Sequence, residues 1–292
     1  MYQDGVNTAP IIRSVLHPTD FSEGSKVAFY HALRAALLTR SELTLLHVAS
    51  NGLPGWSDFP GIRETLEYWG LLPQNSPKSA VLGIGIEPRK IVARKGDPVN
   101  EVVNFVIKNH ADLIVLATHQ YKGHERWMRR SVAEPVARET EQMTLFIPGK
   151  CKGFVSEDDG SVSLERILIP IADSPRPQPA IEAAARLVTM FNLPKGTFTL
   201  LHVGPPESSM PKVRLYEIGG WEWEGEMRNG DVIETIADTA AEIDADLIVM
   251  STDGRNGFLD ALRGSHSERV LRRCSTPLLT IPEGSAVASF LG

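Results

Sequence analysis

The chain repeats itself. ADLIVLAT (111–118) returns as ADLIVMST (245–252), with six of eight letters identical, and LTLLHV (43–48) returns as FTLLHV (198–203). Gly96-Asp97 returns as Gly230-Asp231, and Ile147-Pro148 as Ile281-Pro282. Three of these blocks keep one spacing: Asp97 and Asp231, Ala111 and Ala245, and Ile147 and Ile281 each lie 134 residues apart. Stretches that keep a common spacing over so many blocks must fold alike. The 292 residues therefore divide into two domains of one architecture, each long enough to bury its own core. A duplication also shows what each copy kept and lost, and these copies differ most where a ligand would sit.

Each copy reads as strand, helix, strand, variable segment, strand, helix, strand, loop, helix, strand. In the first, SVLHP (14–18) is a short apolar run, Glu23 to Arg40 carries helical spacing, LTLLHV is a strand, and RKIVAR (89–94) a third. Asp97 is placed to cap a helix with Pro98 at its first position. Its apolar stripe is Val99, Val102, Val103, Val106 and Ile107, matched in the second copy by Ile233, Ile236, Ala237, Ala240 and Ala241. DLIVLAT is apolar on both faces, as a central parallel strand is. A last helix from Ser131 to about Glu141 and the strand TLFIP close the copy. Strands alternating with helices imply doubly wound parallel sheets with helices on both faces. The segment between the second strand and the Gly-Asp pair runs from Ala49 to Lys95 in the first copy and only from Gly204 to Asn229 in the second, where Gly and Pro break any helix. The expected boundaries are a first domain at 1–150, a Gly-, Ser- and acid-rich linker at 151–163, a second domain at 164–284 and a frayed tail at 285–292.

Composition excludes several classes. A net charge of −6 and a pI near 5.8 argue against a nucleic-acid partner, which needs a basic face. No apolar run approaches a membrane span, and MYQDGVNTAP has neither region of a signal peptide, so a cytoplasmic protein is expected. Cys151 and Cys274 stand outside any CxxC spacing and read as reduced thiols.

HPTDFSE (17–23), the two LLHV strands, the ADLIV strands and the run STDGRNGFLDALRGSHSERVLRRCSTPLLTIP (251–282) resemble the universal stress protein family, over nearly the whole chain and in tandem. The resemblance implies two five-stranded parallel sheets of order 3-2-1-4-5 and pairing of domains through their last strands, here 144–148 beside 277–282. It also implies an adenine nucleotide, ATP or ADP with Mg as its companion, as the ligand of one subclass. A homodimer of whole chains is a further expectation.

The family's phosphate signature is Gly, two residues, Gly, nine residues, then Gly-Ser or Gly-Thr. The second copy has Ser251 at the first position, then Gly254, and Gly264-Ser265 after nine residues, with Ser267 able to add a hydroxyl. Glycines let backbone N–H groups approach a phosphate, and a helix opening at Gly264-Ser265 would favour an anion. The first copy has Ala117, Gln120, Arg130 and Ser131 at these places. A non-Gly residue forced to a left-handed φ costs roughly 1–2 kcal/mol, and the Gln120 and Arg130 side chains would fill the space of the phosphates. The first copy is expected not to hold a triphosphate.

The other end of the site shows the reverse asymmetry. By resemblance, an aspartate after the first strand and the backbone after the second hold adenine and ribose, at the switch point between strands 1 and 4. The first copy has Pro18, Thr19, Asp20 and Val48. The second has Pro170, Ile171, Ala172, Asp173 and Val203, so either its turn has an extra residue or Ala172 takes the aspartate's place. The nucleotide-binding candidates are thus Asp173, Val203, Ser251, Gly254, Gly264, Ser265 and Ser267, with a weaker first-domain set of Asp20, Val48 and Ser131.

His17, His119, His124 and Asp20 could converge at one crevice and bind zinc, but short histidine spacings are weak motifs and no metal ligand is assigned; His47 and His202, matched in the repeat, read as buried hydrogen-bonded histidines. No P-loop, GxGxxG after a strand, GxSxG or HExxH occurs. The reading is a regulatory or binding module with no catalytic residue assigned; the alternatives are a scaffold with vestigial sites and a slow ATP hydrolase or phosphotransferase.

Overall fold

The computed structural model describes residues 12–49, 56–93, 96–118, 132–149, 151–252 and 275–283. The first half is built from β1 (Ser14–Pro18), α1 (Glu23–Thr39), β2 (Glu42–Val48), a 3-10 turn (Trp56–Asp58), α2 (Ile62–Tyr68), α3 (Ala80–Gly83), β3 (Glu87–Ala93), α4 (Pro98–Asn109), β4 (Leu113–Thr118), α5 (Ala133–Thr140) and β5 (Met143–Pro148). The second half repeats it as β6 (Arg166–Pro170), α6 (Gln178–Met190), β7 (Gly196–Val203), β8 (Trp221–Arg228), α7 (Val232–Glu242), β9 (Leu247–Thr252) and β10 (Leu278–Pro282).

The strand order is β3-β2-β1-β4-β5-β10-β9-β6-β7-β8, so each half has the order 3-2-1-4-5 and all pairings within a half are parallel. The halves join into one ten-stranded sheet through β5 and β10, which run antiparallel. Leu145 pairs with Leu279, its own counterpart in the repeat, so a local two-fold axis passes through that pair. The Thr280 hydroxyl adds a hydrogen bond to the Thr144 carbonyl at 3.3 Å. Each last strand thereby covers the edge of the other.

Helices α1, α2, α3 and α6 pack on one face of the sheet, and α4, α5 and α7 on the other. The local signals act as expected at α4 and α7. Asp97 accepts from the Asn100 N–H at 3.1 Å, and Asp231 from the N–H groups of Ile233 and Glu234, both at 3.0 Å. Val102, Val103 and Val106 are buried, as are Ile233, Ile236, Ala237 and Ala240. Ile107 is 61% exposed and Ala241 is exposed too, which corrects the stripe by one position in both copies. An α-helix covers a sheet with i, i+1, i+4 and their successors only as far as the arc facing it, and the fifth position falls outside that arc.

The aspartate of each ADLIV block has one job. Asp112 Oδ2 accepts from the N–H groups of Arg13 and Ser14 at 2.8 and 3.0 Å, and Asp246 Oδ2 from those of Glu165 and Arg166 at 2.8 and 2.9 Å. Each carboxylate satisfies the donors at the start of its domain's first strand and fixes that strand against the fourth.

The variable segments differ as their lengths imply. Residues 56–83 of the first half form the 3-10 turn, α2 and α3, whereas 204–220 contain no helix. The second-half loop is held instead by the buried Glu182 of α6, whose Oε1 accepts from the Tyr216 hydroxyl at 2.7 Å and from Arg214 and Gln178 at 3.2 Å. The linker segment is an ordered hairpin: Val155 bridges Val162, and Phe154, Val155 and Leu164 are buried in the core on the α1 face. The expected tail at 285–292 lies outside the described residues.

Candidate functional site

The crevices form where the fold places them. β1 pairs with β4 only at Val15–Leu113 and Leu16–Ile114, although β4 continues to Thr118. β6 pairs with β9 only at Ile167–Leu247 and Leu168–Ile248, although β9 continues to Thr252. In each half the first and fourth strands part towards their C-terminal ends, and the turn after the first strand lies at the mouth of the gap.

That turn begins identically in both halves. Thr19 N–H donates to Leu46 O at 2.9 Å, and Ile171 N–H to Leu201 O at 2.8 Å. His47 Nδ1 donates to Thr19 O at 2.9 Å, and His202 Nδ1 to Ile171 O at 3.0 Å. The two matched histidines therefore tie the second strand to the turn, His47 buried and His202 half-buried.

Beyond this point the halves diverge. In the first, Asp20 is exposed at the lip, its Oδ1 accepts from Ser22 N–H at 3.0 Å, and Ser22 caps α1 by accepting from Ser25 N–H at 3.2 Å. Phe21 takes φ 62° and stacks on His47, with ring centroids 4.2 Å apart. Trp56 and Phe59 from the variable segment close over Phe21 at 5.0 and 5.4 Å, and Lys90 Nζ lies 5.0 Å from the Trp56 ring. Val48, at the end of β2, is half-buried. Sequence reasoning missed Trp56 and Phe59, which sit in the variable segment where no motif points at them.

In the second half, Ile171 matches Thr19, so Ala172 stands in the place of Asp20 and Asp173 one position later. The turn is longer as well: seven residues (171–177) separate β6 from α6, against four (19–22) between β1 and α1. Both alternatives for this turn thus hold together. Asp173 is exposed, and a cis Ser174–Pro175 bond follows it. Arg176 forms an ion pair with Glu283, whose N–H donates to Thr252 O at 2.7 Å. In the first half the place of Glu283 is taken by Gly149, whose N–H makes the matching bond to Thr118 O at 2.8 Å. A Cβ on Gly149 would stand 3.0 Å from that carbonyl and one on Gly24 only 3.2 Å from Gly149 Cα, so α1 starts hard against the strand end. In the second half that strand end carries the Arg176–Glu283 ion pair instead, and neither residue has a motif that announces it.

Ser251 is buried, and its hydroxyl accepts from Ala180 N–H at 3.2 Å. That N–H is shared with the Pro177 carbonyl at 3.1 Å, so Ser251 adds a second acceptor at the start of α6, whose N-cap residue, Pro177, makes no side-chain cap bond. Val203 is half-buried at the end of β7. Gly254, Gly264, Ser265, Ser267, Gln120, Arg130, Ser131, His119 and His124 lie outside the described residues.

His17 is fully buried, with Nδ1 donating to Val115 O at 2.9 Å where β4 has lost its β1 partner. The ring stacks near Phe59 at 6.2 Å, Nε2 has no hydrogen-bond partner among the described residues, and burial pushes the imidazole down to about 4 against the pull of the Val115 carbonyl. Its ring nitrogens thus serve the core rather than an open site. Among the described residues no three His, Cys, Asp or Glu side chains converge as a metal site, and no helix is long and apolar enough to cross a membrane.

The universal stress protein family model matches residues 12–148 and 212–282. The stretch it passes over contains the hairpin, the lengthened turn and Ala172. A universal stress protein of Methanocaldococcus jannaschii is 30% identical over 147 residues, 48% of this chain and 85% of that protein. The crystal structure of a universal stress protein from Archaeoglobus fulgidus superposes with a TM-score of 0.64 at 21% identity, covering 94% of this chain and 98% of the other. A functionally unknown protein from Pseudomonas aeruginosa superposes with a TM-score of 0.56 at 14% identity, over 98% and 97% of the two chains. With both halves matched and the whole tandem fold shared, the chain belongs to the universal stress protein family.

Proposed function

We propose that the chain is a binding module of the stress response that takes one adenine nucleotide, ATP or ADP, in the crevice of its second domain. The observation that carries this reading is the placement of Thr252, the last residue of β9, at the parting of β6 and β9, directly before the glycine spacing Gly254 and Gly264-Ser265. Glycines at this spacing after a parallel strand at a switch point suit an anionic phosphate tail. The nucleoside end of the same crevice is weaker, because Ala172 offers no carboxylate for ribose. Adenine would rest on the β7 end at Val203, and the phosphates would carry most of the affinity. In the first domain Asp20 and Val48 remain, but Gln120 and Arg130 replace the glycines, so that crevice is assigned no triphosphate. The role in this reading is regulatory rather than catalytic. A pair of whole chains would need a surface other than β5 and β10, which cover one another.

Titration calorimetry of ATP with Mg against the full chain tests this. Wild type should bind, Gly264→Arg should not, and Arg130→Gly should leave the measured site unchanged. No heat from wild type, or equal binding by Gly264→Arg, would remove the proposal in favour of a scaffold with vestigial sites.

A further inference from the structure

The hairpin between the domains is fastened by two rings that each lie against a glycine. Gly153, at φ 68°, lets the His31 ring approach so closely that a Cβ there would stand 2.1 Å from its Cε1. Gly160, at φ 67°, does the same for the Trp69 ring, where a Cβ would stand 2.5 Å from Cε3. Both φ values lie in the region that favours glycine. Trp69 Nε1 also donates to Glu157 O at 2.8 Å, and the Tyr30 hydroxyl donates to Glu157 Oε1 at 2.9 Å.

His31 is the central fastening. Its Nδ1 donates to Val27 O at 2.8 Å, so Nε2 carries the free lone pair. That one nitrogen accepts from the N–H groups of both Phe154 and Val155, at 3.0 and 3.3 Å. The Phe154 ring meets the imidazole edge-on at 4.5 Å. His31 is buried on α1, and its counterpart in the repeat, on α6, is Arg186.

We propose that the 151–164 hairpin is an acid-released clasp, held on α1 by the neutral His31 imidazole and freed when that ring takes a proton. Protonation would place an N–H at Nε2, facing two N–H donors with no acceptor between them. The charged groups around the ring do not rescue it. On the hairpin, Glu157 is engaged by Tyr30 and Trp69, and Asp159 faces Arg34 of α1; the Cys151 sulfur takes the Gly153 N–H. What acts on the ring is burial, which lowers it to about 4, with the Val27 carbonyl opposing. Opening would bare Phe154 and Val155 and leave the β5–β10 pairing as the tie between domains. The inference is independent of the nucleotide reading.

Hydrogen exchange of the full chain, corrected for intrinsic rates, tests it between pH 7 and 4. A ring that regains its ordinary value on opening makes the open form more populated by up to about tenfold per pH unit below 6.5, a rise of about 100-fold between pH 7 and 4. That rise should appear at the Phe154 and Val155 amides while the α4 and α7 core amides stay protected. His31→Gln, which accepts through its side-chain oxygen but cannot take the proton, should show no pH dependence there. Gly153→Ala should open the hairpin already at pH 7. A pH-independent hairpin in wild type, or an equal rise in every core amide, overturns the proposal. So does a wild-type pH response in His31→Gln; should that variant not fold, the wild-type comparison of hairpin and helix amides decides alone.

Discussion

Replacing His17 by isoleucine should remove about half of the acid sensitivity of the first domain and change its stability at pH 7 little. Isoleucine is the residue that the second half places there, as Ile169. At neutral pH two effects oppose each other. The variant leaves Val115 O without its 2.9 Å hydrogen bond, a loss of about 1 kcal/mol. It also removes a buried Nε2 that has no hydrogen-bond partner among the described residues, a gain of about 1–2 kcal/mol. The net change should lie within about 1 kcal/mol. The acid limb is different. Burial lowers the folded value to about 4 from an ordinary 6.5, so between these pH values the unfolded chain binds more protons than the folded one. The stability contribution is complete above pH 6.5 and is lost as pH falls through this window. From pH 7 to pH 5 the loss is about 2 kcal/mol per histidine, and His31 contributes a similar amount. Urea unfolding at the two pH values, followed by far-UV circular dichroism and tryptophan fluorescence, should show wild type losing about 4 kcal/mol and the variant about 2. An unchanged loss in the variant would refute the reasoning, as would a cost above about 3 kcal/mol at pH 7, because either result means that His17 does more than fill this core.

Three other substitutions have defined outcomes. Ala172→Asp restores the carboxylate at the position of Asp20 and should tighten ADP binding about tenfold in calorimetry, the worth of one charge-assisted hydrogen bond. Ser251→Ala should lower thermal stability by only about 0.5 kcal/mol without weakening nucleotide binding, since its hydroxyl is turned to Ala180 N–H, which keeps the Pro177 carbonyl as acceptor. Glu182→Ala should cost about 1.5–3 kcal/mol and speed amide exchange in 210–218, because Tyr216, Arg214 and Gln178 lose their common acceptor.

The scaffold was legible because its signals are local or periodic. The caps at Asp97 and Asp231 and the matched histidines do in the structure what their repeated placement implies. Where reading failed, the deciding contacts came from far along the chain. Composition marked 151–163 as a linker, yet its glycines are there to admit the rings of His31 and Trp69. Nothing near Trp56 says that it will close over Phe21, and nothing near Arg176 says that it will meet Glu283, 107 residues on. The spacing around Asp173 held two alternatives because a turn can change in both register and length, and this one did. Serine at 251 reads as a degraded glycine in a ligand motif. In the structure its hydroxyl also accepts from Ala180 N–H, a contact set by the position of α6 rather than by its neighbours in sequence.

The number of adenine nucleotides bound per chain, measured by equilibrium dialysis of radiolabelled ADP with Mg, tests the central claim most directly. The account predicts one, abolished by Gly264→Arg and unaffected by Asp20→Ala. Two sites per chain, none, or a single site lost with Asp20→Ala would contradict it.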